Sequence, residues 1–100
     1  MVAGSVNITQ QKKYTHLYSI CCIVTNEQEY AAMKDSFMAY GFTDRCEYLV
    51  ADNISGNTFS AYDAIRRFLQ DASGEYLVIV HQDVRCLDKM NVLTEKLQQL

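Results

Sequence analysis

Apolar and amphipathic segments alternate along the chain. Three apolar runs, at residues 18–25, 46–51 and 76–80, are rich in β-branched and aromatic residues and show no regular polar alternation. Such runs are typical of strands that are buried on both faces of a parallel sheet. Between and after them lie segments whose apolar residues recur at helical spacing. The pattern therefore predicts the element order β-α-β-α-β-α.

The predicted helices carry capping signals and apolar faces. Asn26, with Glu29 three residues further on, forms an N-capping signature for the first helix, and Gly41 suits the position after its last turn. Thr58 or Ser60 can cap the second helix. We expect the apolar faces of all three helices to pack on other parts of the fold. These faces comprise Tyr30, Met33, Phe37 and Tyr40; then Ala61, Ala64, Ile65, Phe68, Leu69 and Ala72; and finally Leu87, Met90, Leu93, Leu97 and Leu100.

The short connections between these elements predict parallel strands joined by right-handed crossovers. The expected architecture is a Rossmann-like, three-layer α/β/α fold with a mostly parallel sheet. If the second and third strands flank the first, the strand order is 2-1-3 and the chain reverses direction across the sheet at the first strand. Open α/β sheets bind ligands at such a switch point, outside the carboxyl ends of the strands. We therefore expect a binding site at that edge of the sheet.

Composition limits the classes of protein to which the chain can belong. Its 100 residues suffice for one domain, and the fractions of 49% apolar and 21% charged residues are ordinary for a globular protein. We expect a flexible lead at residues 1–13 and an α/β domain at residues 14–100. The net charge of −3 offers no basic field, so no nucleic-acid partner is expected. No run approaches the roughly 20 apolar residues of a transmembrane helix.

The N-terminus and the cysteines predict the cellular location. No charged start followed by an apolar stretch is present, so a signal peptide is not expected and the predicted location is the cytoplasm. The cysteine spacing fits no zinc-binding pattern, and reduced, buried thiols are expected. The four cysteines are Cys21, Cys22, Cys46 and Cys86.

Polar side chains follow each of the three predicted strands. They are Thr25 and Asn26 after the first strand, Asp52 after the second, and His81, Gln82 and Asp83 after the third. An Asp beside a His and an amide offers ligands to Mg²⁺ or Mn²⁺. A single carboxylate is a weak metal site alone, so we expect the metal to bind together with a nucleotide diphosphate that supplies further ligands. Asp52 can accept hydrogen bonds from a base or a ribose.

Gly-rich phosphate loops are missing from the sequence. Neither GxGxxG nor GxxxxGK follows any predicted strand. The hypotheses that the chain is a dehydrogenase or a P-loop protein therefore lose their main support.

The strand-end motifs, taken together, carry a family resemblance. The first strand ends in Thr25-Asn26-Glu27, the second in Val50-Ala51-Asp52-Asn53 followed by Ile54-Ser55-Gly56, and Ala72-Ser73-Gly74-Glu75-Tyr76 leads into the third. The third ends in His81-Gln82-Asp83-Val84. Over about residues 18–100 the sequence resembles the nucleotide-sugar-binding N-terminal half of a family 2 glycosyltransferase with the A-type fold. In that family the third of these strands ends in an Asp-x-Asp metal motif. The His-Gln-Asp-Val variant resembles a bacterial branch linked to capsule or surface-polysaccharide assembly.

The resemblance implies an activity and residue roles. It implies transfer of a sugar from a nucleotide-diphosphate sugar, with a UDP-sugar as the expected donor, to a saccharide or a lipid-linked acceptor at the inner face of the membrane. Asp83 would coordinate Mn²⁺ or Mg²⁺, and Asp52 would contact the base. The remaining nucleotide-binding residues would be Thr25, Asn26, His81, Gln82 and Arg66. The catalytic base is expected beyond Leu100.

Two other classes of protein remain open. One is a receiver-like signalling domain with Asp52 as the phosphate acceptor, for which Asn26 and Glu27 supply only half of the acidic pair that would hold Mg²⁺. The other is a non-enzymatic α/β interaction module that forms a homodimer through the apolar side of its last helix. Because no stop signal follows that helix, we also expect the chain to be the N-terminal part of a longer protein.

Structural roles also account for single residues among the candidates. Asp52 can cap a turn, and Asp83 can be a carboxylate before the N-terminus of a helix. His81 can be a hydrogen-bonded structural histidine, and Arg66 and Arg67 can belong to a solvated helix face.

Overall fold

The computed structural model describes residues 14–56 and 58–100, so the lead predicted at residues 1–13 lies outside the described residues. Three strands alternate with three helices in the predicted order. They are β1 (His16–Val24), α1 (Glu27–Ala39), β2 (Cys46–Asp52), α2 (Ala61–Asp71), β3 (Gly74–Val80) and α3 (Met90–Gln98).

The three strands form a parallel sheet in the order β2-β1-β3, as the sequence predicts. In the register of the sheet, Val24 of β1 lies opposite Asp52 of β2, and Cys22 of β1 lies opposite Val80 of β3. The Rossmann-like α/β class and the 2-1-3 order are therefore confirmed. The central position of β1 explains its unbroken apolar sequence, because both of its faces and both of its edges are covered.

One face of the sheet packs against α1 and α3. Every second residue of β1 points into this larger core, and Met33 and Phe37 of α1 close it from above. Met90, Leu93 and Leu97 of α3 are half-buried against the same core. The buried β1 residues on this side are Tyr18, Ile20, Cys22 and Val24.

Among the described residues, the other face of the sheet packs against α2 and against Phe59 in the loop before it. Ala64 and Phe68 of α2 meet Cys21 and Ala51 in a smaller core. A single helix covers this face incompletely, since Ile79 of β3 is 45% exposed. The fold is thus three layers deep, with two helices on one side of the sheet and one on the other.

The last helix differs from its prediction. The sequence pattern predicts Leu87 and Leu100 on its apolar side, but they are 79% and 99% exposed and lie outside α3. After β3, the chain crosses to the side of the sheet that α1 covers. The helix starts only at Met90, whose backbone N–H donates a hydrogen bond of 3.0 Å to Tyr40 O. Met90, Leu93 and Leu97 of α3 are only partly buried against the larger core, and Val92 is 37% exposed, so a homodimer through this helix stays a prediction.

A polar cluster ties the amino ends of the strands together on the α2 side. The Glu47 carboxylate accepts hydrogen bonds from the Ser19 hydroxyl and, at 2.6 Å, from the Ser73 N–H. The Ser19 Oγ in turn accepts a bond of 2.7 Å from the Gly74 N–H. A Cβ at position 74 would lie 2.4 Å from the Ser19 backbone nitrogen, so only glycine fits where β3 begins.

Among residues 14–56 and 58–100, no helix combines the length and the apolar character that crossing a bilayer requires.

Candidate ligand-binding site

The carboxyl ends of the three strands meet at one edge of the sheet, which we call the rim. Asp52 is the last residue of β2 and lies opposite Val24 of β1, and His81 follows directly after β3. Thr25 and Asn26 stand between them, because β1 is the middle strand. The structure therefore brings together residues that are up to 58 positions apart in the sequence.

The segment after β3 is joined to the end of β1 by one side chain. The Gln82 Oε1 accepts hydrogen bonds from the backbone N–H groups of Thr25 and Asn26, each at 3.0 Å. The Gln82 Nε2 donates to the Thr25 Oγ1 at 2.7 Å. Three bonds from a single amide thus hold the two strand ends against each other.

Further bonds fix the rest of this segment, residues 81–86, which we call the rim loop. A turn is closed by the Val84 N–H, which donates to His81 O at 3.0 Å. The Arg85 guanidinium donates to the carbonyls of Gln82 and Val84, and it lies 4.0 Å from the Glu29 carboxylate on α1. The Cys86 N–H donates to Ser36 Oγ at 2.9 Å. The rim loop is therefore ordered by contacts to both β1 and α1.

Asp83 is held by this loop with its carboxylate in the solvent. Its side chain is exposed, and within the described residues no hydrogen bond or salt bridge engages it. It lies close enough to the β1 thiol of Cys22 to act on it electrostatically. Burial raises the pKa of that thiol to about 11, and the negative charge of Asp83 adds to the increase. A carboxylate without a protein partner is available for a ligand or a cation.

Asp52 and its neighbour Asn53 are used differently. The Asp52 Oδ1 accepts a bond of 2.9 Å from the Ile54 N–H, which is the turn-capping role that its sequence context allows. Its side chain is nevertheless exposed, and its second carboxylate oxygen remains available. Asn53 is 7% exposed, and its amide donates to Phe59 O and accepts from Phe59 N–H, both at 2.9 Å. Asn53 thus closes the loop that follows Asp52.

The two residues at the end of β1 are engaged within the protein. Asn26 is the N-cap of α1, because its Oδ1 accepts a bond of 2.9 Å from the Glu29 N–H. This confirms the capping signature. Thr25 binds Gln82 through both its backbone N–H and its hydroxyl. Both residues line the rim, although their strongest polar contacts are to the fold itself.

Arg66 differs from the other predicted site residues because it lies on a helix and not at a strand end. It lies in the second turn of α2, about 160° around the helix from the residues that face the sheet, Ala64 and Phe68. Its side chain is exposed. The cation that does lie at the rim is Arg85, which the sequence did not single out as a binding residue, because its approach to Glu29 depends on how the rim loop crosses over α1.

The metal-binding capacity of the rim is limited to a few donors. Within the described part of the chain, no three His, Cys, Asp or Glu side chains come together as a metal-binding group. Asp83 supplies one free carboxylate, and His81, two positions earlier, is exposed without a side-chain partner among the described residues. This donor set fits an ion that brings most of its ligands with it, such as Mg²⁺ or Mn²⁺ on a diphosphate.

Two cavities can be placed relative to the rim. A cavity of about 90 Å³ lies at β2 and α2, where it is lined by Leu49, Phe59 and Phe68 among others. A wider cleft of about 420 Å³ lies where the end of α1 meets the start of α3. Neither is lined by Asp52 or Asp83.

Comparison with known proteins finds a distant relative of the chain. No family model matches the chain. The chain is 31% identical over 83 residues to a protein of Fuscovulum blasticum described as "ATP synthase subunits region ORF 6". The matched region is 82% of this chain and 33% of that protein, so the chain spans about a third of the length of its relative. That description names neither a substrate nor a reaction.

Proposed function

We propose that the chain is the donor-binding part of a metal-dependent glycosyltransferase that uses a nucleotide-diphosphate sugar. One observation carries the proposal: Asp52 and Asp83 lie at the carboxyl ends of the two strands that flank β1, and the Asp83 carboxylate has no partner within the described residues. Ligands of open α/β sheets bind at this place. The motif resemblance to family 2 glycosyltransferases supplies the kind of ligand.

The two carboxylates divide the rim into two subsites. Asp83, on the β3 side, would hold Mn²⁺ or Mg²⁺ bound to the diphosphate. Asp52, on the β2 side, would accept hydrogen bonds from the base or the ribose through its free oxygen. Thr25 and Asn26 lie between the two, and His81 borders the metal subsite.

Electrostatics favours joint binding of metal and nucleotide. A diphosphate that approached the rim alone would meet the negative charge of Asp83 at short range, with the partly exposed Arg85 already paired to Glu29. A divalent cation between carboxylate and diphosphate reverses the sign of that interaction. Nucleotide affinity should therefore depend strongly on the metal.

The chemistry follows from what these residues can do. When bound, the metal would neutralise charge on the departing diphosphate. The chain's own residues bind and orient the donor: Asp83 fixes the cation, and the rim fixes the nucleotide. The general base and the acceptor site are proposed to lie outside this chain, and the proposed setting is bacterial surface-polysaccharide synthesis in the cytoplasm with a UDP-sugar as donor.

Electron paramagnetic resonance of Mn²⁺ tests the proposal. We expect the signal of free Mn²⁺ to fall when protein and UDP are present together, by more than protein alone or UDP alone produces. In Asp83→Asn the cooperative part should weaken at least about tenfold, because a carboxylate ligand is lost. Asp44→Asn is the matched control, since Asp44 is an exposed aspartate in the turn before β2, at the opposite edge of the sheet.

Two results would contradict the proposal. Equal Mn²⁺ and UDP binding by the wild type and Asp83→Asn would show that the metal is held elsewhere. Equal losses in Asp83→Asn and Asp44→Asn would show a general effect of net charge, not a site at the rim.

A further inference from the structure

The side chain of Gln82 has little capacity left for a ligand. Its Oε1 has two acceptor positions, and the Thr25 and Asn26 N–H groups fill both. These donors also fix the orientation of the amide, because only the oxygen can face two N–H groups. One of its two N–H donors is used by the Thr25 hydroxyl. The resemblance assigns Gln82 to nucleotide contact, whereas its bonds are made within the protein.

The position of these bonds gives Gln82 a different task. The register of β3 against β1 ends at Val80, which lies opposite Cys22. The rim loop then leaves the sheet, and its contacts through Arg85 and Cys86 are to the loop itself and to α1. Gln82 ties the same loop to β1, one residue before Asp83.

We propose that Gln82 is a positioning residue: by locking the rim loop to the end of β1, it sets the separation between the metal subsite at Asp83 and the nucleotide subsite at Thr25, Asn26 and Asp52. The loop lock is a property of the chain itself, and the effect on ligand binding rests on the proposed function. When the two subsites are already held at a fixed distance, binding of a rigid metal-nucleotide complex costs less conformational entropy.

Amide hydrogen exchange tests the lock without any ligand. The variant Gln82→Met keeps the length of the side chain and removes its hydrogen bonds. We expect the Thr25 and Asn26 amides to exchange about tenfold faster in this variant, because each loses a hydrogen bond and a tenfold change corresponds to about 1.4 kcal/mol. Gln82→Glu should keep slow exchange, since its carboxylate can accept both N–H groups and the Thr25 hydroxyl. Gln70→Met, at an exposed position of α2, controls for the substitution itself.

Ligand binding tests the positioning role. Mn²⁺-dependent UDP affinity should fall at least about fivefold in Gln82→Met relative to Gln70→Met. The affinity is measured well below the melting temperature of each variant, because the loss of three hydrogen bonds also lowers the stability of Gln82→Met. Affinity for Mn²⁺ alone should change little, because Asp83 itself is intact. A merely structural role would lower the melting temperature and leave the affinity of the folded protein unchanged.

The outcomes separate the two proposals. Unchanged exchange at Thr25 and Asn26 in Gln82→Met would overturn the lock. Faster exchange with unchanged UDP affinity would overturn the positioning role. If the wild type binds no nucleoside diphosphate, the proposed function fails and the positioning role fails with it, whereas the exchange rates still decide whether Gln82 locks the loop.

Discussion

Glu47 shows how much a single residue can organise without any local sequence pattern. Its side chain is 19% exposed and joins the amino ends of β1, β2 and β3 through Ser19 and Ser73. Burial acting alone would raise the pKa of Glu47, but hydrogen bonds from Ser19 and Ser73, with the nearby His16, outweigh it and lower the pKa. The cluster therefore stabilises the ionised carboxylate in the folded state.

A pH dependence of stability follows from this lowered pKa. The contribution of Glu47 is complete above the ordinary pKa of a glutamate and is lost as the pH falls through the lower value of the folded state. Glu47→Gln should cost about 1 kcal/mol near pH 7, because bonds to a charged acceptor become bonds to a neutral one. The cost should shrink in acid, as measured by urea unfolding between pH 7 and pH 3.

Glu75→Gln is the matched control, because Glu75 is exposed two residues away from Ser73. If Glu47→Gln destabilised the protein equally at pH 7 and at pH 3, the ionised carboxylate would not be the stabilising species.

The hydrogen bonds of Gln82 show which part of the site cannot be predicted from the sequence. The sequence places Thr25, Asn26, Asp52, His81 and Asp83 at strand ends, because an apolar run that stops at polar residues identifies the end of a buried strand. The sequence does not reveal that the Gln82 amide makes its hydrogen bonds within the protein. That depends on the approach of two backbone N–H groups from 56 and 57 positions away, for which no local pattern exists.

At the scale of elements, burial of one helix face explains how the sheet is covered. Phe68 and Leu69 are neighbours in α2, yet Phe68 is 3% exposed and Leu69 is 61% exposed. The 100° turn between them takes Phe68 into the smaller core with Cys21 and Ala51 and leaves Leu69 at the surface. The sequence pattern places Phe68 and Leu69 on one apolar face, because helical spacing does not show which residues at the margin of that face are exposed.

The two residues should differ sharply when they are truncated. Phe68→Ala should lower the free energy of unfolding by about 3 kcal/mol or more, because it leaves a cavity under α2. Leu69→Ala should cost less than about 1 kcal/mol. Urea denaturation with the two variants side by side measures the difference. Similar costs would mean that α2 packs on the sheet in another rotation.

Elements that alternate regularly were the easiest to predict. β1 to β3 and α1 to α2 appear where the periodicity places them, and their order fixes the parallel sheet. The spacing of Leu87 and Met90 predicts an earlier start for α3 than the structure has, because the chain at residue 86 is still bonded to Ser36 of α1. Tertiary contacts, not local preference, decide where that helix begins.

On the scale of the whole molecule, the 2-1-3 order turns three scattered sequence motifs into one surface. In the proposed function, a nucleoside diphosphate would lie across the ends of these three adjacent strands, from Asp52 past Thr25 and Asn26 to Asp83. The proposed function gives the divalent cation the task of attracting the diphosphate, because the net charge of the chain is −3 and Arg85 lies 4.0 Å from the Glu29 carboxylate. The central claim is therefore that nucleotide and metal bind together.

Thermal unfolding with UDP, GDP and dTDP, each with and without Mn²⁺, tests this claim most directly. A ligand at one hundred times its Kd stabilises the folded state by about 2.7 kcal/mol, which corresponds to a rise in Tm of the order of 10 °C for a domain of this size. We predict such a rise with one of the three nucleotides, only when Mn²⁺ is present, and not with the corresponding monophosphate. An unchanged Tm with all three, in a protein that unfolds cooperatively, would contradict the account.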